Sequence, residues 1–191
     1  MINQITKIDE KTYLIESDMT INEDIFITDK ETLIIRGSDT KVYIGTEKKV
    51  TIRIDGALDN HGRLMLINCT MHLGGYAFRN YGVLMITNRS KFVMGYRVKP
   101  RMLNAGMIYI KDNAEFKHDG ESEETELENA GMIQVADGGR LFLSQKRSSP
   151  VHNSGVMRLS DEKNFMLEDA EGFRNDGIVK ISNENGGTEG E

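Results

Sequence analysis

The sequence predicts an all-β fold of one kind: a single-stranded parallel β-helix, or β-solenoid, of about seven to nine coils. Three observations predict it. First, a short pattern occurs six times: an apolar residue, any residue, Asn, any residue, Gly, and then apolar residues two and four positions after the Gly. The copies begin at Leu58, Phe78, Met102, Leu127, Val151 and Phe173. Second, the Asn-to-Asn spacings are 20, 24, 25, 24 and 22 residues, a period suited to one coil per repeat. Third, the apolar residues inside each copy alternate with the period of two that belongs to a strand.

The recurring positions of one coil are read from the repeat itself. Asn60 and Gly62, Asn80 and Gly82, Asn104 and Gly106, Asn129 and Gly131, Asn153 and Gly155, and Asn175 and Gly177 mark a sharp corner. Glycine there is expected to take positive φ and to let neighbouring coils approach closely. The corner asparagines of successive coils lie about 4.8 Å apart, the spacing of adjacent strands, so their amides can bond along the column as a ladder.

A first strand follows the corner, with its inward side chains at Leu64 and Leu66, Leu84 and Ile86, Ile108 and Ile110, Ile133 and Val135, Met157 and Leu159, and Val179 and Ile181. Asn68, Asn88, Asp112, Asp137, Asp161 and Asn183 come next and predict a second turn, because Asn and Asp tolerate left-handed backbone. A second strand carries Met71 and Leu73, Phe92 and Met94, Phe116 and His118, Leu141 and Leu143, and Phe165 and Leu167 inward. A loop of variable length then leads to the next copy. Each coil is thus expected to hold two strands.

The whole chain, residues 1–191, reads as one solenoid domain. Residues 1–18 are expected to cap the open end, since an uncapped solenoid exposes a sheet edge. Residues 19–57 form looser initial coils, with apolar pairs at Ile25 and Ile27, Leu33 and Ile35, Val42 and Ile44, and Ile52 and Ile54. Regular coils occupy 58–183, and 184–191 is a polar, solvated tail.

The repeated pattern over residues 19–183 resembles right-handed parallel β-helices of the pectin-lyase-like superfamily. It looks most like the coils of bacterial adhesins, of autotransporter passengers of the filamentous-haemagglutinin kind, and of some phage tail proteins. The resemblance implies an architecture and leaves the activity open.

Composition narrows the function classes. A net charge of −6 argues against a dedicated nucleic-acid binder. No apolar run approaches the roughly 20 residues that a membrane-spanning helix needs, so no membrane insertion is expected. Cys69 is the only cysteine, which precludes an internal disulfide. The start, MINQITKIDE, shows no basic leader followed by an apolar stretch. That suits a cytoplasmic or phage-assembly setting, or a secreted protein without its signal.

β-Helix lyases and hydrolases need acids, or acids with Arg or Lys, converging on one face of neighbouring coils. Five positions after each Asn stand Met65, Met85, Tyr109, Gln134, Arg158 and Lys180; three positions after it stand Arg63, Val83, Met107, Met132, Val156 and Ile178. Neither column holds an acid. Asp112, Asp137 and Asp161 could form a carboxylate column, which turn chemistry explains without calcium. His61 and His152 sit in distant coils and cannot share a metal. No catalytic residue, metal or cofactor is therefore expected.

Two surface features remain. Val83, Met107, Met132, Val156 and Ile178 form an apolar column facing away from the core, widened at the N-terminal half by Met65, Met85 and Tyr109, and such a stripe marks either a partner surface or a region covered by the chain itself. The variable loops alternate in charge: GYRVKPR, with Tyr96, Arg97, Lys99 and Arg101; DGESEETE; QKRSSP, with Lys146 and Arg147; and EDAEG. Neighbouring loops of opposite charge attract, and the basic ones offer a contact for a polyanionic glycan. The reading that follows is a non-catalytic structural or interaction protein, a rigid rod that self-associates or docks a protein partner. A glycan-binding, adhesion or phage-tail module is the second reading, and a β-helix polysaccharide lyase or hydrolase the third.

Overall fold

A computed structural model describes residues 5–28, 30–37, 39–47, 49–74, 77–95, 100–118, 125–136, 138–144, 150–168 and 172–182. It is a parallel β-solenoid whose strands run in three sheets of nine, eight and seven strands. One regular turn consists of Ala57–Asn60 in the first sheet, Arg63–Ile67 in the second and Cys69–Leu73 in the third. Within the sheets each regular strand pairs in parallel with its equivalents one turn before and after; Ala57–Asn60, for example, sits between Thr32–Ile35 and Ala77–Asn80. Helical geometry among the described residues is confined to the 3-10 turn Glu162–Asn164 and to Gly172, which is also in 3-10 conformation.

A coil thus has three strands where the repeat predicted two. The stretch read as a lead-in to the corner is itself a strand: Leu58 and Asn60 both point inward and are buried, while Ala57 and Asp59 point outward. An asparagine at an inward position hides the alternation, because a polar residue there reads as the end of a strand. The regular repeat makes about six turns, ending on the strands Phe173–Asn175 and Ile178–Ile181. That is slightly fewer than the expected seven to nine; the looser turns before Ala57 extend the same three sheets. Strand Thr12–Ile15 already belongs to the first sheet, and Thr6–Lys7 lies antiparallel against it at the N-terminal edge.

The asparagine ladder is present. Nδ2 of Asn60, Asn80, Asn104, Asn129 and Asn153 donates to Oδ1 of the next asparagine at 2.7, 2.8, 2.7, 2.6 and 2.6 Å. The second proton of the first four goes to the carbonyls of Val83, Met107, Met132 and Val156 at 3.1 to 3.4 Å. These five amides are wholly buried, so the ladder satisfies groups that would otherwise be costly in a core.

The corner glycines work by close approach alone. None of Gly62, Gly82, Gly106, Gly131, Gly155 and Gly177 has positive φ, contrary to the expectation from the sequence. A Cβ on Gly106 would instead stand 2.1 Å from the carbonyl oxygen of Gly82, and one on Gly131 as close to that of Gly106. The cause is the backbone bonding of the corner: Met107 N donates to Gly82 O at 2.8 Å, and Gly106 N to Asn80 O at 2.8 Å. Successive corners are therefore stacked carbonyl to glycine.

Left-handed backbone occurs at the second turn, where Asn68, Asn88 and Asp112 have φ of 49, 50 and 54°. Asp161 departs from this. Its backbone is extended, and its side chain caps the 3-10 turn by accepting from Lys163 N. Asp137 and Asn183 lie outside the described residues.

Inside, every inward position named from the repeat is buried up to Leu159. Phe92 and Phe116, one turn apart in the third sheet, stack with centroids 5.0 Å apart, and Phe78 packs 5.6 Å from Phe92. Such aromatic contacts add roughly 0.5–1.5 kcal/mol per pair to the apolar burial.

Candidate functional site

Parallel in-register pairing turns each outward position into a column of side chains, so each sheet presents one face of distinct chemistry. On the second sheet, Val83, Met107, Met132, Val156 and Ile178 are successive register partners. Beside them, two residues further along each strand, run Tyr43, Met65, Met85 and Tyr109, which give way to Gln134, Arg158 and Lys180. The apolar face is therefore two columns wide only at Val83 with Met85 and Met107 with Tyr109; towards the N-terminus Lys41 and Arg63 stand beside Tyr43 and Met65, and towards Ile178 only the first column stays apolar. Its members are half-buried, since neighbours in a column cover one another's flanks, and Ile178 is exposed. Arg63, beside Val83, bounds the first column and lies 3.9 Å from Asp39. Neither column holds an acid.

Tyr43 was missed because its turn lacks the Asn-x-Gly mark on which the others were aligned. The alternation of Val42 and Ile44 around it is the signal that places it outward.

The first sheet presents an ionic face, which the two-strand reading could not foresee. Its outward column runs Asp59, Arg79, Leu103, Glu128, His152 and Arg174. Ion pairs cross between turns, Arg79 Nη1 to Asp59 Oδ2 at 3.2 Å and Arg101 Nε to Glu126 Oε2 at 3.1 Å, and His152 Nε2 hydrogen-bonds Asp176 Oδ2 at 3.0 Å. Arg79, Arg101, Leu103, Glu126 and Glu128 line an open groove of about 400 Å³. At the adjoining corner, His61 and Tyr81 stack with ring centroids 4.8 Å apart.

On the third sheet Glu115 lies between Lys91, at 4.0 Å, and Arg140, at 3.3 Å. Its other column carries the Arg53 guanidinium 5.1 Å from the exposed Phe26 ring and the Lys117 ammonium 5.6 Å from Phe142. The second sheet is thus the one whose outward face is mainly apolar.

The charged segments each join a third-sheet strand to the first-sheet strand of the next turn. Tyr96, Arg97, Lys99, Lys146 and Arg147 lie outside the described residues. Arg101 is described, and it is the partner of Glu126.

The titrating groups that depart from ordinary behaviour have local causes. Burial pushes the Cys69 thiol up to about 12. Burial, with the Arg53 charge nearby, holds His72 below its usual value. The Thr87 hydroxyl holds the Asp112 carboxyl low, and the hydrogen bond from His152 does the same for Asp176. Among the described residues no three His, Cys, Asp or Glu side chains are grouped so as to hold a metal ion, and no helix is long and apolar enough to cross a membrane.

Compared with known proteins, the chain matches no family model, no curated protein and no solved structure.

Proposed function

We propose that this chain is a non-catalytic structural or interaction protein: a rigid solenoid rod that self-associates or docks a protein partner through the outward face of its second sheet. The observation that carries the reading is the unbroken register of Val83, Met107, Met132, Val156 and Ile178, flanked by Tyr43, Met65, Met85 and Tyr109. Apolar side chains held in line on a stiff backbone lose little further conformational freedom on docking, which favours lateral contact. Burying several of them contributes several kcal/mol before the costs of association, at about 25 cal/mol per Å². By its repeat the rod is of the right-handed, pectin-lyase-like kind, as in adhesins and phage tail proteins, and it needs no cofactor.

The test is the mass in solution of the parent and of the Met107→Lys/Met132→Lys double variant, with the melting temperature of each as a control for folding. The reading requires a complex, with itself or with a protein captured by the rod, that the double variant loses while its melting temperature is kept. A complex insensitive to both lysines removes the second sheet from the account.

A second reading, a glycan-binding module, is supported by the groove lined by Arg79, Arg101, Glu126 and Glu128, whose guanidinium and carboxylate groups on neighbouring turns offer hydrogen bonds to a sugar chain. Calorimetric titration with an acidic polysaccharide decides it: heat that disappears in Arg79→Ala/Arg101→Ala supports it, and no heat removes it.

A further inference from the structure

The outward face of the second sheet carries cations at both ends and no acid in either column. Lys41 and Arg63 precede Val83 in the first column, while Arg158 and Lys180, one turn apart, close the second. The chain as a whole has the opposite sign, with a net charge of −6. The two ends differ in how these cations are balanced. Lys41 N donates to Asp18 Oδ1 at 2.8 Å, and Arg63 Nη2 lies 3.9 Å from Asp39 Oδ1, so a carboxylate stands beside each. Arg158 and Lys180 are exposed, and neither takes part in an ion pair among the described residues. They stand on the strands of Val156 and Ile178, two residues further along. This half of the face is therefore an apolar lane beside a cationic lane. The acidic stretches DGESEETE and EDAEG join third-sheet strands to first-sheet strands, at the corner that does not border the second sheet.

We propose, resting on the reading of this face as a docking surface, that its occupant is a different protein: an amphipathic helix with an apolar face and carboxylates along one flank. Charge complementarity argues against a second copy of the face. Two copies laid parallel bring Arg158 and Lys180 of both chains to the same end. Laid antiparallel, Arg158 and Lys180 meet the end that holds Lys41 and Arg63, where Asp18 and Asp39 balance only those two. In both senses two cations lose water beside their own sign of charge, with no carboxylate to answer them. A crossed contact avoids this but covers only the central turns and leaves most of the apolar column wet.

A helix laid along the rod meets the face at the right spacing. Successive turns are about 4.8 Å apart, so Val83 to Ile178 spans roughly 19 Å, the length of about 13 helical residues. Side chains three or four residues apart on a helix lie about 5–6 Å from each other, which lets two carboxylates answer Arg158 and Lys180 on adjacent turns. Two outward lanes, about 7 Å apart, lie within the width of one helix.

The probes are two synthetic helical peptides of roughly 18 residues. Both carry one leucine stripe; one has Glu along its flank and the other Lys. Fluorescence anisotropy with the full chain is expected to show the Glu peptide binding at least about tenfold tighter than the Lys peptide. Arg158→Glu/Lys180→Glu, at two exposed positions, is expected to invert that order. Met107→Gln/Met132→Gln, which adds no charge, is expected to weaken both peptides with an unchanged melting temperature. In sedimentation velocity the parent alone is expected to show no complex that Met107→Gln/Met132→Gln removes. Such a complex would keep the second sheet as an interface and overturn the acidic partner. Failure of the Glu peptide to bind overturns the proposal, as does equal binding of the two peptides or a preference unmoved by the charge reversal. Peptide binding that ignores Met107→Gln/Met132→Gln removes the face itself, and the reading it rests on falls with it.

Discussion

Asn104 donates from Nδ2 to Oδ1 of Asn129 at 2.7 Å, with both side chains wholly buried. The same Nδ2 reaches the Met132 carbonyl at 3.1 Å, while Oδ1 of Asn104 accepts from Asn80. One side chain therefore ties three turns together.

Replacing Asn104 should consequently cost far more than its size suggests. Asn104→Ala leaves buried polar groups on the turns before and after without their partner, and is expected to destabilise by about 2–4 kcal/mol. Asn104→Asp puts a carboxylate oxygen against two acceptors and should be at least as damaging at neutral pH. Asn175→Ala, at the exposed end of the ladder, should cost under about 1 kcal/mol in the isolated chain. Urea midpoints of the three variants check the ordering.

Gly131→Ala and Gly138→Ala separate steric approach from backbone conformation. At Gly131 the new Cβ would stand 2.1 Å from a main-chain oxygen, which cannot yield without opening two turns. The expected loss is about 3 kcal/mol. At Gly138, φ is +75° and the nearest atom is Oδ1 of the Asn113 side chain at 2.8 Å, which can move. The expected loss is about 1 kcal/mol, the cost of left-handed backbone for alanine. Equal losses at the two sites would contradict the stacked-corner account. Thermal melts of both variants, beside Gly106→Ala, measure this.

These glycines also show what was legible in the sequence. The repeat gave the inward columns, the ladder and the corner, because each depends on residue type at a fixed spacing. It did not reveal why glycine is needed, since a clash with the previous turn and a positive φ both select glycine and look identical in one dimension. The third strand was hidden by the asparagines themselves: Asn60 and its equivalents occupy core positions that a strand template reserves for apolar residues. With that strand went the whole ionic face, including Arg79, Glu126 and Glu128. The apolar column was legible from Val83 to Ile178, because alternation in an aligned repeat fixes which side chains face out. Tyr43 was not, for want of the aligning mark.

Stability should fall in two stages on acidification. His72 titrates below its usual 6.5 in the folded chain, mainly through burial. The folded state then binds fewer protons than the unfolded state, so its contribution is complete above about pH 6.5 and is lost as pH falls through the lowered value. Asp112 and Asp176 lie below 3.8 through their bonds to Thr87 and His152, and their contributions persist above that pH and are lost beneath it. The melting temperature should be flat above pH 7, decline first below 6.5 and again below about 4. His72→Gln should remove the first decline and leave the second.

Cys69 should behave as a structural residue. It is buried, with a thiol pushed up to about 12, so the thiolate is scarce at pH 8. A disulfide-exchange reagent should label the native chain at the rate of global unfolding and the urea-unfolded chain at once. Rapid labelling of the native chain would mean that the turn at Asn68 opens independently.

The most direct test of the proposed interface is hydroxyl-radical footprinting of the methionine and tyrosine side chains, in dilute solution and at a concentration, or with a partner, where a complex forms. The account predicts that Met85, Met107, Met132 and Tyr109 become protected together on association, while Tyr81, exposed at the corner outside the second sheet's face, reacts at an unchanged rate. Unchanged reactivity of all four in a complex of demonstrated mass would contradict it.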